Sequence, residues 1–324
     1  MPDDKVAAGR IVDLSAGRQR DERAEVVARL LDSPATIAPR WFYDELGCAL
    51  YGAICRLPEY YPTRTEVALF REHRGAIAEA AGAVRQFVDL GAGDCCKAES
   101  WLPFLEPARY VAVDIAAHEL RRALDRMAPD FPSVEMLGVV ADFQHGLPLD
   151  DVLDERAALF FYPGSSIGNF TPREAVAFLR EVHGLCKPRP GSGLLIGVDA
   201  KKDRALLDAA YDDALGVTAA FNRNALAHLN RRFGFDFALD AFAHRGFYNE
   251  SAGRVEMHLE SKGEQVVRLG GDTVRRFARG ERIHTENSYK YAAAEFEALL
   301  AEAGFDRVRR WTSPGESYFA FLAA

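Results

Sequence analysis

From residue 85 onward, short apolar runs alternate with amphipathic stretches of about 10 to 15 residues, the pattern of repeated βαβ units around a mainly parallel sheet. The apolar runs predict strands at Gln86–Leu90, Arg109–Ile115, Val134–Val140, Ala157–Tyr162 and Leu194–Val198. Helices are expected between them at Ala117–Met127 and Arg173–Leu185. Upstream, helical periodicity marks Asp21–Leu31 and Trp41–Arg56, and "TRTE" before Val67 is a capping-type sequence that opens a helix toward Ala81. Residues 1–20 are polar and fall outside any predicted element. After the fifth strand the rhythm breaks. A helical stretch from Arg204 to Arg232 leads into "FYNESAGRVEMHLES" and "EQVVRL", alternating runs with a glycine-containing turn that predict β-hairpin structure. A helix at Ala292–Ala303 and two strand-like runs, "RVRRWTS" and "SYFAFLA", close the chain.

Five parallel strands followed by a helix and a terminal strand pair are what the Rossmann-like, seven-stranded sheet of a class I S-adenosylmethionine-dependent methyltransferase requires. The expected fold is therefore α/β, with a second α+β substrate-binding domain built from the interrupting segment and the N-terminal region. The boundaries read as 63–200 plus 289–324 for the cofactor domain and 8–62 plus 201–288 for the substrate domain.

Composition narrows the function classes. The chain has 324 residues, 48% hydrophobic and 27% charged, with a net charge of -8, which leaves no basic footprint for a phosphate backbone and predicts no nucleic-acid partner. No run of about 18 apolar residues occurs, and the N-terminus lacks the basic start and apolar core of a secretory signal, so no membrane association and a cytoplasmic location are expected. The five cysteines show no pairing pattern with histidines and are expected to be free thiols. His73, His118, His183 and His228 are spaced for no metal site, and none is expected.

The first strand runs into "GAGDCCK". In open α/β sheets, ligands bind beyond the carboxyl ends of the strands near the switch point, so Gly91 and Gly93 stand where a cofactor would lie. A dinucleotide fingerprint needs a third glycine three residues after the second, and that position is Cys96. Asp114 ends the second strand, placed for a carboxylate to accept both ribose hydroxyls. Asp142 and Phe143 follow the third, suited to bonding an adenine amino group and stacking on its ring. Lys97 suits the carboxylate of an amino-acid moiety. These features favour S-adenosylmethionine over a dinucleotide, since no pyrophosphate needs to be held.

After the fourth strand, "PGSSIGNFTP" forms a polar loop in which the Asn169 amide is placed to fix a substrate carboxylate, and "TPRE" caps the next helix through Thr171. If "ERIHTENSYKY" is extended, His284, Glu286, Ser288 and Lys290 project to one side, with Glu286 and Ser288 as neighbours facing one pocket.

"PRWFYDELG", "RLPEYYPTRTE", the Gly-Ala-Gly turn, "PGSSIGNFTP", "AYDDALGVTAAFNRN", "RVEMHLES" and "TENSYKY" together resemble the L-histidine Nα-methyltransferase family of ergothioneine biosynthesis, from about Pro39 to the C-terminus. The resemblance implies three successive methyl transfers from S-adenosylmethionine that convert L-histidine to the trimethylammonium betaine hercynine, releasing S-adenosylhomocysteine. It further implies that Asn169 and Tyr211 hold the substrate carboxylate, that Tyr60, Glu286 and Ser288 surround the imidazole, that Tyr43 lies near the amine and that Met257 lines the ring pocket. Tyr43 and Asn169 are the expected catalytic positions. The implied cofactor set is Gly91, Lys97, Asp114, Asp142 and Phe143, in a monomeric enzyme.

"GDCCKAESW" departs from the small hydroxyl residues that several relatives carry after the glycines, which leaves open a histidine derivative such as the thiol-histidine of the ovothiol pathway as acceptor. Two further readings stay open: an NAD(P)-linked oxidoreductase, against which Cys96 counts, and a non-catalytic protein that binds S-adenosylmethionine.

Overall fold

The computed structural model describes residues 9–14, 22–142 and 146–324. The chain divides into two units; the described residues of the first are 9–14, 64–142, 146–200 and 291–324, and those of the second are 22–63 and 201–290.

The first unit is built on an eight-stranded sheet in the order Arg10–Asp13, Glu135–Val140, Arg109–Asp114, Gln86–Leu90, Ala158–Tyr162, Gly193–Asp199, Tyr318–Ala323, Val308–Thr312. The first six strands run parallel to one another, and Tyr318–Ala323 pairs antiparallel with both Gly193–Asp199 and Val308–Thr312. Numbered along the chain from Gln86, the strands run 3-2-1-4-5-7-6, the class I methyltransferase order, with its switch point beside Gln86–Leu90. Every residue of Gln86–Leu90, Ala158–Tyr162 and Gly193–Asp199 is buried, as expected of parallel strands covered on both faces.

Seven strands were expected; the eighth is Arg10–Asp13, in a segment read as lying outside any element and, from residue 8, as part of the substrate domain. It pairs with Glu135–Val140 from Arg10↔Leu137 to Asp13↔Val140. Four residues carry too little periodicity to be recognised, and the strand owes its place to the open ladder edge of its neighbour.

The helix expected from "TRTE" begins earlier, spanning Tyr61–Ala81. Pro62 sits in its first turn, where a missing N–H costs nothing, so Glu66 lies inside the helix rather than capping it. Thr171 does cap Pro172–Cys186, with Glu174 completing a capping box.

The second unit holds a four-stranded sheet in the order Ala35–Thr36, Arg282–Tyr289, Arg254–Ser261, Phe242–Asn249, and a separate hairpin of Gln265–Arg268 with Val274–Phe277. The helical stretch expected from Arg204 to Arg232 is two helices, Arg204–Tyr211 and Val217–Phe233. The Asp213 carboxylate accepts from the amides of Val217 (2.9 Å) and Thr218 (2.7 Å), and Gly216 takes a left-handed φ of 73°, so the second helix starts afresh. Among the described residues no helix is long and apolar enough to cross a membrane.

Candidate functional site

In the first unit, the strand Gln86–Leu90 ends in a turn with Gly91 at φ 72° and Gly93 at φ 53°, both left-handed and open to glycine at no steric cost. The amides of Gly91 and Ala92 donate to Val113 O at 2.8 and 3.1 Å, and Gly93 N donates to Asp114 Oδ2 at 2.9 Å. The other oxygen of Asp114 accepts from Ala116 N at 2.9 Å. Burial raises the pKa of Asp114, against the pull of those backbone donors. A carboxylate offers about four lone-pair sites, more than the backbone amides of Gly93, Ala116 and Ile115 that act on it take up. Ala141 N donates to Asp114 O at 3.1 Å, so Asp142 follows directly from the end of Asp114's neighbouring strand. Phe143 lies outside the described residues.

Sequence reading missed two acids here. Asp89, 1% exposed within the first strand, accepts from the Tyr110 hydroxyl at 2.9 Å, while its Oδ1 has no hydrogen-bond partner. Burial pushes its pKa up to about 7, opposed by the Tyr110 bond and the Lys97 charge. Its signal was an acid inside a run buried on both faces. The second is Glu66, fully buried, with Lys97 Nζ at 2.6 Å. The group that would lie here is S-adenosylmethionine, and the donor set fits it. Carboxylates suit ribose hydroxyls and an ammonium, Lys97 suits a carboxylate, and the orphaned Asp89 oxygen is a buried acceptor in want of a donor.

Asn169 also belongs to the first unit, closing the 3-10 turn Ser166–Asn169. Gly164 and Ser165 precede it with φ of 79° and 56°, and Ser165 Oγ is anchored by accepting from Asp199 N at 2.9 Å.

The remaining candidates lie in the second unit. Tyr211 ends its helix with its carbonyl 2.8 Å from His244 Nε2. A Cβ on Gly246 would stand 2.3 Å from that carbonyl, so only glycine admits this approach. The Tyr211 hydroxyl lies 2.8 Å from Ser288 Oγ, and Lys290 Nζ donates to both, at 2.9 and 2.8 Å. An ammonium has no acceptor capacity, so both oxygens receive from Lys290, and one O–H is used between them. One hydroxyl proton is left to donate outward. Lys290, 1% exposed, had been placed in the polar row but given no role.

Glu286 pairs with Met257 and Ser288 with Val255 across the antiparallel ladder, which puts Glu286, Ser288 and Met257 on one face. Burial raises the Glu286 pKa to about 7, with the Lys290 charge opposing. His284 departs from expectation. The register shifts between His284 and Glu286, so His284 faces the other way, its ring 4.7 Å from that of His258. Thr285, the extra residue, donates its hydroxyl to Met257 O at 3.0 Å.

That other face carries Glu256, His258 and His284, whose ligand-type atoms lie within 4.8 Å of one another. The Glu256 carboxylate is already engaged by Asn249 (3.0 Å), Arg254 (2.9 Å) and His258 (2.9 Å). Burial would raise its pKa, but those bonds outweigh it and hold it at about 2. Its charge is matched by a guanidinium, and the cluster reads as an ion-pair network.

Tyr60, 9% exposed, packs edge-on to Tyr211 with ring centroids 6.0 Å apart. Tyr43 meets Tyr51 at 6.0 Å and Phe221 at 5.8 Å, an aromatic cluster suited to a cation. The next residue fixes it. Asp44 caps Glu45–Ile54 through Gly47 N, accepts from Asn224 Nδ2 at 2.7 Å and pairs with Arg231. The "FYDELG" and "FNRN" motifs are thus bound to each other within this unit.

Residues 22–324 match the family described as "Histidine-specific methyltransferase, SAM-dependent". The chain is 40% identical over 306 residues to the histidine N-alpha-methyltransferase of Mycolicibacterium smegmatis, covering 93% of this chain and 94% of that protein. It is 39% identical over 307 residues to the histidine N-alpha-methyltransferase of Mycobacterium tuberculosis, with the same coverage. With ergothioneine biosynthesis protein 1 of Neurospora crassa it shares 29% identity over 302 residues, 90% of this chain and 33% of that protein.

Proposed function

Because this chain belongs to the family of S-adenosylmethionine-dependent, histidine-specific methyltransferases, we propose that it methylates the α-amine of L-histidine three times to give hercynine, as a step of ergothioneine biosynthesis. The observation that carries the acceptor assignment is the polar row of the second unit: Glu286 with a carboxyl poised near neutrality, and the Tyr211, Ser288 and Lys290 triangle with one O–H to give. A neutral imidazole has one N–H to donate and one lone pair to accept. Glu286 takes the N–H, and Ser288 or Tyr60 serves the other nitrogen. An acceptor with an apolar side chain would leave these groups unpaired at about 1 to 3 kcal/mol each.

S-adenosylmethionine, when bound, supplies an electrophilic methyl on a sulfonium. The chain's own residues do the rest by orientation. Asn169 and Tyr211 are assigned to the substrate carboxylate, Met257 to the ring, and Tyr43 to the amine or an ordered water beside it. Gly91, Lys97, Asp114, Asp142 and Phe143 are assigned to the donor. Only a neutral amine is nucleophilic, and its proton can pass to water, so alignment rather than a strong general base supplies most of the acceleration. The aromatic rings around Tyr43 suit the cation that forms, a contact worth about 0.5 to 2 kcal/mol. We assign the enzyme to the cytoplasm, as a monomer.

Mass spectrometry of a reaction containing L-histidine and S-adenosylmethionine should show products heavier by one, two and three methyl groups. No product from histidine, with product from the thiol-histidine, would move the acceptor to that derivative. Binding without any turnover would leave a non-catalytic protein. A Tyr43→Phe variant with full turnover would remove the hydroxyl from the proposed role.

The raised Glu286 pKa sets a pH dependence. The carboxylate accepts the ring N–H above about pH 7, so KM for histidine rises as pH falls through that value. Free histidine adds its own ring protonation near about 6.5, and comparison with Glu286→Gln, which retains only that component, isolates the enzyme's part. Since the Lys290 charge holds the Glu286 pKa down, Lys290→Met shifts the enzyme's inflection to higher pH. An inflection that stays in place in Lys290→Met removes the coupling.

A further inference from the structure

We propose that Glu66 is a positioning residue for the donor site, holding Lys97 where it meets the carboxylate of the donor's amino-acid moiety; this rests on the reading of S-adenosylmethionine as donor. Glu66 is a fully buried acid on the helix Tyr61–Ala81, and both its oxygens are engaged by other elements of the first unit. Oε2 accepts from Lys97 Nζ at 2.6 Å. Oε1 accepts from Gly164 N and from the Tyr318 hydroxyl, each at 2.6 Å. One carboxylate thereby ties the helix after the glycine turn, the loop after the fourth parallel strand and the terminal strand to a single point. The backbone leaves room for it. A Cβ on Gly197, in the strand Gly193–Asp199, would stand 2.2 Å from Glu66 Oε1 and 2.8 Å from the Tyr318 hydroxyl.

Lysine is a long, flexible side chain whose ammonium is seldom fixed by its own torsions. Here the short bond to Glu66 fixes it, and Nζ stands 3.1 Å from where a Cβ on Gly164 would lie. The charge matters as well as the bond. An uncompensated Lys97 would repel a sulfonium, whereas the Lys97–Glu66 pair is neutral overall and still offers a donor to a carboxylate. Glutamine has the same shape but brings an NH2 group. At least one of the three donors now meeting Glu66 would then face another donor.

Calorimetry with S-adenosylhomocysteine and with 5′-methylthioadenosine, which keeps the nucleoside and lacks the amino acid, tests the role without turnover. Glu66→Gln should bind S-adenosylhomocysteine about 10-fold or more weaker than wild type, the scale of one hydrogen bond to a charged group, and 5′-methylthioadenosine within about twofold, the scatter expected without coupling. Lys97→Met should show the same selective loss, and the double variant should lose little more than either single one. Equal losses on both ligands would reduce Glu66 to a structural role and overturn the proposal, as would wild-type affinity for both. Should Glu66→Gln fail to fold, Tyr318→Phe removes one donor and keeps the carboxylate. A smaller loss confined to S-adenosylhomocysteine then supports the proposal, and no loss or an unselective one overturns it. Wild-type protein that binds neither ligand would sink the donor reading itself, and this inference with it.

Discussion

Glu286→Ala lowers kcat/KM for histidine by about 10- to 150-fold and leaves the affinity for S-adenosylhomocysteine unchanged within about twofold. The range is that of a hydrogen bond to a charged group, about 1.5 to 3 kcal/mol at about 1.4 kcal/mol per decade. The residues proposed for the donor belong to the other unit, so a loss shared equally by both ligands would mean that Glu286 serves the fold rather than the ring. Stability supplies an independent check. Folding raises the Glu286 pKa from 4.5 to about 7. Its stabilising contribution is full below about pH 4.5 and is lost as pH rises through about 7, because the folded state holds on to a proton that the unfolded state has released. The ligand-free Glu286→Gln protein should therefore gain thermal stability relative to wild type as pH is raised from 5 to 8. A constant difference across that range would contradict a raised folded-state pKa.

The second large effect belongs to Asp114. Asp114→Ala should weaken S-adenosylhomocysteine by about 100-fold or more, since two ribose hydroxyls lose a charged acceptor worth at least about 1.5 kcal/mol each. It also strips the partners from Gly93 N and Ala116 N, so the glycine turn loses its anchor. Because the ribose is common to both ligands, 5′-methylthioadenosine should weaken in parallel, unlike the selective loss expected from Glu66→Gln. Calorimetric affinities within about tenfold of wild type would show that Asp114 serves the turn and not the ribose.

Much of the first unit was legible from the chain because its inner strands are buried on both faces and appear as largely apolar runs between amphipathic helices. Arg109–Asp114 and Glu135–Val140 fall within a residue of where periodicity placed them. Arg10–Asp13 was not legible, since a four-residue edge strand is chosen by its neighbour's free ladder and leaves no pattern of its own. Glu66 was misjudged for a different reason. As a capping acid it looked local, yet it sits three and four residues before Leu69 and Phe70, both buried, and so on the apolar side of its helix. A charge at a core-facing position was the available signal. In the second unit the polar row of Arg282–Tyr289 was noticed on the condition that the segment is extended, which it is, but the phase of that row was not, because alternation in sequence cannot reveal an inserted residue.

That insertion makes the proposed acceptor surface depend on a count as well as on chemistry. Adding or deleting one residue between Thr285 and Lys290 would carry the downstream members of the row to the opposite side of the sheet, among the arginines and histidines there. Exchange of individual side chains alters the row one contact at a time, whereas a single-codon slip in this strand displaces it at once. Attempts to graft or diversify it must therefore move Thr285 and the segment that follows as one piece.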